Sequence, residues 1–177
     1  MRRLFLALQP TPAQAEVLVA TAAPLVQELA GRPLVAPQLH ATLCFIGSVD
    51  DGTLAALRDT LARVHGRHVQ LELDAIEYWE TPEILCATAV ESPSARDLSA
   101  ALVDAVSAAG CAPDRKPFRA HVTLARKVRR RVARNFEWPR ALASMSVHRD
   151  EFVLMESHRG EAGSTYSVVD SWPLYEK

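Results

Sequence analysis

The chain of 177 residues has few cysteines, no long apolar run and almost no net charge. Its three cysteines, Cys44, Cys86 and Cys111, are scattered and form no C-x-x-C pair, so we expect buried, reduced thiols and a cytoplasmic protein. No stretch approaches the ~20 apolar residues of a membrane span, so no membrane partner is expected. The basic start is followed by an apolar run too short for a signal peptide, and this run predicts a first strand. A formal net charge of −1 argues against polyanion binding by overall charge.

Several signatures of familiar enzyme classes are also missing. There is no G-x-S-x-G, which argues against a serine hydrolase of the nucleophile-elbow type. There is no P-loop and no G-x-G-x-x-G, so nothing predicts a nucleotide cofactor site of those kinds. Neither H-E-x-x-H nor a H-x₃₋₅-H spacing occurs, which leaves a zinc site with little support.

One short pattern, His-x-Thr-Leu, occurs twice, beginning at His40 and at His121, 81 positions apart. Both copies lie in apolar runs that predict strands. Side chains two residues apart on a strand point to the same face, so His40 lies beside Thr42 and His121 beside Thr123. Two such strands can bring two imidazoles and two hydroxyls to one cleft.

The charge of the chain is unevenly distributed around the second copy of this pattern. Positions 113–134 carry a formal charge of +8, which leaves −9 for the rest. A solvated basic face is one interpretation, but the position of the run favours an anionic substrate, with Arg119 and Lys116 among the candidate contacts. The cations are Arg115, Lys116, Arg119, Arg126, Lys127, Arg129, Arg130, Arg131 and Arg134.

Paired imidazoles fit acid–base chemistry at a phosphodiester. With an ordinary pKa near ~6.5, one histidine can be a neutral base while the other is a charged acid. Displacement at phosphorus runs in line, so a base can activate water on one side while an acid protonates the leaving ribose oxygen of a 2′,3′-cyclic phosphate on the other. The hydroxyls of Thr42 and Thr123 can donate to the non-bridging oxygens. No carboxylate lies within the motifs, so we expect chemistry without a metal or other cofactor.

Other residues near the motifs are candidate substrate contacts. Arg126 falls on the opposite face of a flat strand from the second histidine, and reaches the phosphate only if the strand ends or bulges near Ala125. Phe118 is a candidate for stacking on a base. Phe45 is expected in the core, and the role of Trp79 stays open between stacking and core packing.

Apolar periodicity and turn signals predict seven strands and three helices. Thr11 caps a first helix that ends at Gly31 and that Pro24 should kink or split. Asp50 or Asp51 caps a second helix. Gly47 should stop the strand of the first motif. The strands are expected over 3–8, 39–46, 68–79, 84–90, 118–127, 145–157 and 165–172, and the third helix over 93–109.

The order of these elements indicates an α+β fold with mainly antiparallel sheets. Strands outnumber helices, and several are linked as hairpins. Each His-x-Thr strand follows a helix through a loop that contains proline. This correspondence suggests two lobes with outer helices, related by a pseudo-twofold axis, around a central cleft.

Five segments resemble those of a known family. RLFLAL at 3–8, HATLCFIG at 40–47, FRAHVTLAR at 118–126, FVLMES at 152–157 and GSTYSV at 163–168 are similar to the opening strand, the two histidine motifs and the closing hairpin of the two-histidine (2H) phosphoesterases. Within that superfamily the chain resembles the bacterial and archaeal RNA 2′,3′-cyclic phosphodiesterases, also called 2′-5′ RNA ligases. Ala41 and Ala120 depart from the pattern, where a larger apolar residue and a proline are common.

The resemblance implies a single domain over 1–177, made of two intertwined α+β lobes, and an enzyme that needs no cofactor. Its partner would be an RNA or nucleotide ending in a 2′,3′-cyclic phosphate, hydrolysed to a 2′-phosphomonoester, with 2′-5′ ligation as the reverse reaction. By analogy His40 would be the acid and His121 the base, Thr42 and Thr123 would hold the phosphate, and Arg126 would neutralise it. We expect a monomer.

Two other functions stay open at this point. One is a phosphodiesterase for another cyclic or 2′-5′ linked nucleotide, because the motifs contact the phosphate and not the base. The other is an RNA-binding module without turnover that uses the basic segment. A pure binder, however, has no need of a proton donor and a proton acceptor.

Overall fold

The computed structural model describes residues 1–89, 92–114, 116–160 and 163–175. Val90, the predicted end of a strand, and Arg115, part of the basic run, lie outside the described residues. Nine strands are described: β1 Arg2–Leu8, β2 Arg32–Pro33, β3 Ala41–Val49, β4 Val69–Trp79, β5 Ile84–Ala89, β6 His121–Arg126, β7 Arg140–Arg149, β8 Glu151–Gly160 and β9 Gly163–Pro173.

The strands form two antiparallel sheets, which confirms the α+β prediction. Sheet one has the order β3-β1-β8-β9 and sheet two the order β2-β6-β5-β4-β7. Every strand pair is antiparallel. The two His-x-Thr strands lie in different sheets, β3 in sheet one and β6 in sheet two. The division into two lobes of one domain, related by a twofold axis, stays a prediction.

Local capping signals set the starts of the first two helices, as predicted. The Thr11 hydroxyl accepts from the backbone N–H of Gln14, whose side chain in turn accepts from the backbone N–H of Thr11. Asp50 caps the second helix by accepting from the backbone N–H of Thr53. The helices are α1 Pro12–Glu28, α2 Asp51–Leu61, α3 Pro93–Ala108 and the short α4 Arg130–Ala133, with a 3₁₀ turn at Ala36–Gln38.

The end of α1 differs from the prediction in two ways. Pro24 lies inside the helix without splitting it. Proline has no N–H for the carbonyl four residues earlier, but Pro24 is on the exposed face of the helix, where water can bind that carbonyl instead. The left-handed residue after the helix is Ala30, with φ 49°, and not Gly31. Gly31 is needed for close packing instead, since a Cβ there would lie 3.0 Å from Cγ2 of Val128.

Two predicted strand limits were also wrong. Gly47 does not stop β3 but lies within it at φ +96°, where the register against β1 shifts by one residue and forms a bulge. The single strand predicted over 145–157 is two strands, β7 and β8, separated by Asp150. Val147 and Phe152 are both buried, but the four residues between them are polar, and the chain passes there from sheet two to sheet one.

One continuous apolar core joins both sheets and the first three helices. It includes the buried side chains of Leu6, Leu57, Leu71, Leu85 and Leu102. Because strand side chains alternate, β1 sends its even-numbered leucines into this core and its odd-numbered Phe5 and Ala7 to the other face of sheet one. There they form a small second cluster with Val153 and Met155, against which Tyr166 packs.

The three cysteines are free thiols. Cys44 and Cys86 are buried, and burial raises the pKa of each thiol to about 12. Cys111 is partly buried. The prediction of buried thiols is therefore confirmed for two of the three. No helix in the described ranges is both long and apolar enough to cross a membrane.

Candidate active site

The two motif histidines are held in the same way. His40 directly precedes β3 and His121 begins β6. The Nδ1 atom of His40 lies 2.7 Å from the carbonyl oxygen of Gln38, and that of His121 lies 2.8 Å from the carbonyl oxygen of Arg119. A carbonyl can only accept, so each Nδ1 carries the hydrogen and each neutral ring leaves Nε2 as a proton acceptor.

Aromatic rings surround both imidazoles. His40 is only 8% exposed, and its ring centroid lies 4.8 Å from those of Phe5 and Tyr166. His121 is half-buried, with its centroid 4.4 Å from that of Trp79. The walls restrict how each ring can turn, so both imidazoles are held by packing as well as by a hydrogen bond.

Burial and the charge of Arg126 lower the pKa of both histidines. Burial first, and then the charges of Arg126 and His121, lower the pKa of His40 to about 4, although the hydrogen bond to the Gln38 carbonyl acts in the opposite direction. Burial also lowers the pKa of His121, and the charges of Arg119 and Arg126 act in the same direction. Each unliganded imidazole therefore favours its neutral form, and an anion placed between them would oppose that preference.

Arg126 reaches this site because β6 bulges. The register between β5 and β6 passes from Cys86 opposite Thr123 to Leu85 opposite Ala125, which leaves Leu124 as an extra residue. This is the bulge that the sequence analysis required for Arg126 to change face. Its Nη2 atom lies 3.5 Å from the Tyr166 hydroxyl, so a side chain of sheet two contacts the ring that packs on His40.

The two motif threonines have different surroundings. Thr123 is 8% exposed, with its Oγ1 atom 4.0 Å from the sulfur of Cys86. Thr42 is half-buried and lies opposite Ala7 in the β1–β3 register. Within the described ranges, the Thr42 hydroxyl has no hydrogen-bond partner and that of Thr123 has only the cysteine sulfur. Both hydroxyls are thus available as donors.

Arg119 is occupied by a network around Trp79. Its Nη2 atom lies 2.6 Å from each carboxylate oxygen of Glu77, and its guanidinium lies 5.0 Å from the Trp79 ring centroid. Glu77 also accepts from Nε1 of Trp79 at 3.1 Å and from the Thr88 hydroxyl at 3.2 Å. The contacts of Arg119 therefore fix the wall beside His121, and its binding of substrate stays a prediction.

The aromatic candidates fall in different places. Phe118 is half-buried against the main core, and its stacking on a base stays a prediction. Phe45 was expected in the core but is 52% exposed, with its centroid 6.1 Å from that of Phe5. The bulge at Gly47 displaces the register of β3 next to Phe45, which a regular alternation could not anticipate.

Sequence reasoning missed three residues that contact the site. Tyr166 was seen only as part of the closing hairpin, and nothing local places it against His40. Glu77 carries a weak signal, because it lies two residues before Trp79 and so shares its face of β4. Gln38 acts through its backbone carbonyl, for which its side chain gives no signal.

The basic segment is partly neutralised by its neighbours. Four of its described cations form ion pairs: Lys116 with Asp114, Arg119 with Glu77, and Arg130 and Arg134 with Glu80. Among the described residues Arg126, Lys127, Arg129 and Arg131 have no such partner. A solvated face thus accounts for part of the run, while Arg126 is left free beside the histidines.

No group of three or more His, Cys, Asp or Glu side chains close enough to hold a metal ion occurs in the part of the chain that the structure describes.

The chain is similar in sequence and in fold to known proteins. A model of the 2′-5′ RNA ligase superfamily matches residues 10–161. An RNA 2′,3′-cyclic phosphodiesterase of Escherichia coli K12 is 28% identical over 149 residues, which are 82% of this chain and 81% of that protein. The crystal structure of E. coli LigT complexed with 3′-AMP is 26% identical, with a TM-score of 0.87 over 99% of both chains. A crystal structure of a phosphoesterase gives a TM-score of 0.88 at 26% identity, again over 99% of both chains.

Proposed function

The chain belongs to the 2′-5′ RNA ligase superfamily, and from this premise we propose that it hydrolyses RNA 2′,3′-cyclic phosphate ends to 2′-phosphomonoesters. The observation that carries the proposal is the matched pair of imidazoles. His40 and His121 come from different sheets, and the charge of Arg126 lowers the pKa of both. Each donates its Nδ1 hydrogen to a backbone carbonyl. This leaves two Nε2 atoms for proton transfer.

In the proposed reaction, water attacks the cyclic phosphate in line with the leaving oxygen. Nε2 of His121 takes the proton of the attacking water as the new P–O bond forms. The bond from phosphorus to the ribose 3′ oxygen breaks, and protonated Nε2 of His40 gives its proton to that oxygen. The product is a 2′-phosphomonoester with a free 3′ hydroxyl. If an RNA 5′ hydroxyl replaces the water, the same steps form a 2′-5′ linkage.

The remaining motif residues stabilise charge on the phosphate in this proposal. Hydroxyls of Thr42 and Thr123 donate to non-bridging oxygens, whose charge grows as the new bond forms. Arg126 neutralises the same group as an always-charged donor. Neither step calls for a metal ion or a cofactor.

The protonation of His40 depends on the substrate. The family resemblance assigns it the acid role, yet burial lowers its pKa to about 4 in the unliganded site. A bound phosphate supplies the opposite charge that raises the pKa of a nearby imidazole. His40 therefore takes up its proton when the substrate binds. Because kcat/KM reports the pKa values of the free enzyme, its alkaline limb should lie below the ordinary histidine pKa.

Turnover in EDTA tests the proposal. Purified protein should open nucleoside and oligonucleotide 2′,3′-cyclic phosphates, and His40→Ala and His121→Ala should each lower kcat at least about 10²-fold. His65→Ala is the matched control, since His65 is exposed and lies in the loop after α2. Full activity in either motif variant removes that histidine from the mechanism.

The alternative functions are outcomes of the same experiment. Faster turnover of a different cyclic or 2′-5′ linked nucleotide in the panel would reassign the substrate. Salt-dependent RNA binding that survives both substitutions, without turnover, would indicate a binding module. We also propose that the protein is a monomer that works in the cytoplasm, and its free thiols fit a reducing compartment.

A further inference from the structure

A groove of about 270 Å³ adjoins the residues that hold His40. Three of its lining residues also belong to the candidate active site. The backbone of Gln38 holds His40, the ring of Tyr166 packs on His40, and Arg126 contacts the Tyr166 hydroxyl. The groove is therefore continuous with the position proposed for the reacting phosphate.

The charges on the groove favour an anion. Arg32, Arg126 and Lys127 line it together with one acid, Glu83. The pairing of β2 with β6 sets Arg32 directly opposite Arg126, and like charges across a strand pair repel. None of the three cations has a carboxylate within ion-pair distance among the described residues, so an anion in the groove would relieve this repulsion.

Arg32 is exposed, and its side chain reaches the start of β9. Its guanidinium lies against Gly163, where an added Cβ would overlap with it. Gly163 has φ +114°, and the next residue, Ser164, accepts at its carbonyl from Nε2 of Gln38 at 2.9 Å. The exposed guanidinium of Arg32 is thus open to an anion in the groove.

Lys127 approaches the same groove through an unusual backbone conformation. It follows β6 with φ 54°, in the left-handed region that side chains other than glycine rarely adopt. Glu83, which also lines the groove, has φ 52°, and its carbonyl accepts from the backbone N–H of Val128 at 3.0 Å. The two left-handed residues are thus connected through the neighbour of Lys127, and such conformations concentrate at ligand sites.

We propose that this groove binds a second phosphate of the substrate, the internucleotide phosphate on the 5′ side of the cyclic end, through Arg32 and Lys127. The inference rests on the proposed function, because it takes Arg126 and the two histidines as the position of the reacting phosphate. It makes the protein selective for the ends of RNA chains over single nucleosides. Opening of the cyclic phosphate itself needs neither Arg32 nor Lys127.

Three substrates test the groove: a nucleoside 2′,3′-cyclic phosphate, the same compound with a 5′ phosphate, and a dinucleotide ending in the cyclic phosphate. The wild type should have kcat/KM about tenfold higher for the two that carry a second phosphate. Arg32→Gln and Lys127→Gln should each reduce that ratio of kcat/KM values at least about threefold, by raising KM for the substrates that carry the second phosphate. Neither should change the turnover of the plain nucleoside. Arg131→Gln, which removes an exposed cation outside the groove, should change none of these values.

Other outcomes overturn the inference. Equal kcat/KM of the wild type for all three substrates would contradict a second phosphate site. An equal loss of kcat/KM for all three substrates in Arg32→Gln would contradict it as well. An advantage for the 5′ phosphorylated nucleoside alone would show a terminal phosphate site and contradict the internucleotide assignment.

Binding separates the groove from the catalytic proposal. If the wild type opens none of the three substrates, the proposed function fails, and binding of a nucleoside 2′-phosphate is compared with that of a nucleoside 2′,5′-bisphosphate. Tighter binding of the bisphosphate that Arg32→Gln abolishes supports the groove. Equal affinities contradict it.

Discussion

Replacing Arg126 by glutamine should change the rate and the pH profile in ways that a merely structural role would not produce. A hydrogen bond to a charged group contributes about 1.5–3 kcal/mol, which corresponds to roughly 10- to 100-fold in kcat/KM. Arg126 is exposed, so solvent screening favours the lower end of that range. The variant should therefore lose about tenfold at the pH optimum of the wild type.

The pH profile should move upward in the same variant. The charge of Arg126 lowers the pKa of both His40 and His121, so its removal raises both. The alkaline limb of kcat/KM reports loss of the protonated imidazole in the free enzyme. This limb should lie below pH 6.5 in the wild type and move toward that value in Arg126→Gln. The difference in kcat/KM between the wild type and the variant should therefore become smaller as the pH rises.

Steady-state hydrolysis of a nucleoside 2′,3′-cyclic phosphate between pH 4 and 8 measures both effects. Arg126→Lys keeps the charge and should keep the wild-type limb while it loses part of the rate. Arg131→Gln should match the wild type in both respects. A slower Arg126→Gln enzyme with an unmoved limb would refute the electrostatic link between Arg126 and the histidines.

Three further outcomes are expected. Because burial lowers the pKa of His40 to about 4, the unfolded chain binds this proton more tightly, and the free energy of unfolding should fall by on the order of 3 kcal/mol as the pH drops from 7 toward 4. In denaturant titrations at pH 7 and 4.5, His40→Gln should lose less stability than the wild type, and equal losses would contradict the buried neutral ring. Thr42→Val and Thr123→Val should each lower kcat roughly 10²-fold with little change in KM, and an unchanged kcat would exclude that hydroxyl from the transition state. Ala30→Gly should raise the unfolding free energy by about 1 kcal/mol, because Ala30 has a left-handed φ of 49°; a lower denaturant midpoint would argue against this.

The sequence predicted those parts of the fold that depend on local signals. The caps at Thr11 and Asp50 are short-range hydrogen bonds between neighbouring residues, and both are present. The strands that carry His40 and His121 follow from apolar runs, and the antiparallel α+β class follows from the order of the elements. The break at Asp150 was missed because apolar residues resume on both sides of the polar run 148–151, although each side belongs to a different sheet.

The candidate site could be predicted only where its residues lie within a motif. The position of Arg126 depends on the bulge at Leu124, which arises from the pairing of β6 with β5. Tyr166 and Trp79 reach the histidines through tertiary packing between strands far apart in the chain. Such contacts leave no local pattern, so the sequence left the role of Trp79 open and did not single out Tyr166.

The position of the phosphate in the product, together with the additivity of the two histidine substitutions, tests the central claim most directly. Phosphorus NMR of an oligonucleotide 2′,3′-cyclic phosphate treated with the protein in EDTA should show a 2′-phosphomonoester. His40→Ala, His121→Ala and the double variant should be similarly slow, since an acid and a base that act in one step lose their effect together. Losses that multiply in the double variant would contradict paired acid–base catalysis by these two imidazoles, and a 3′-phosphomonoester product would contradict the 3′ oxygen as the leaving group.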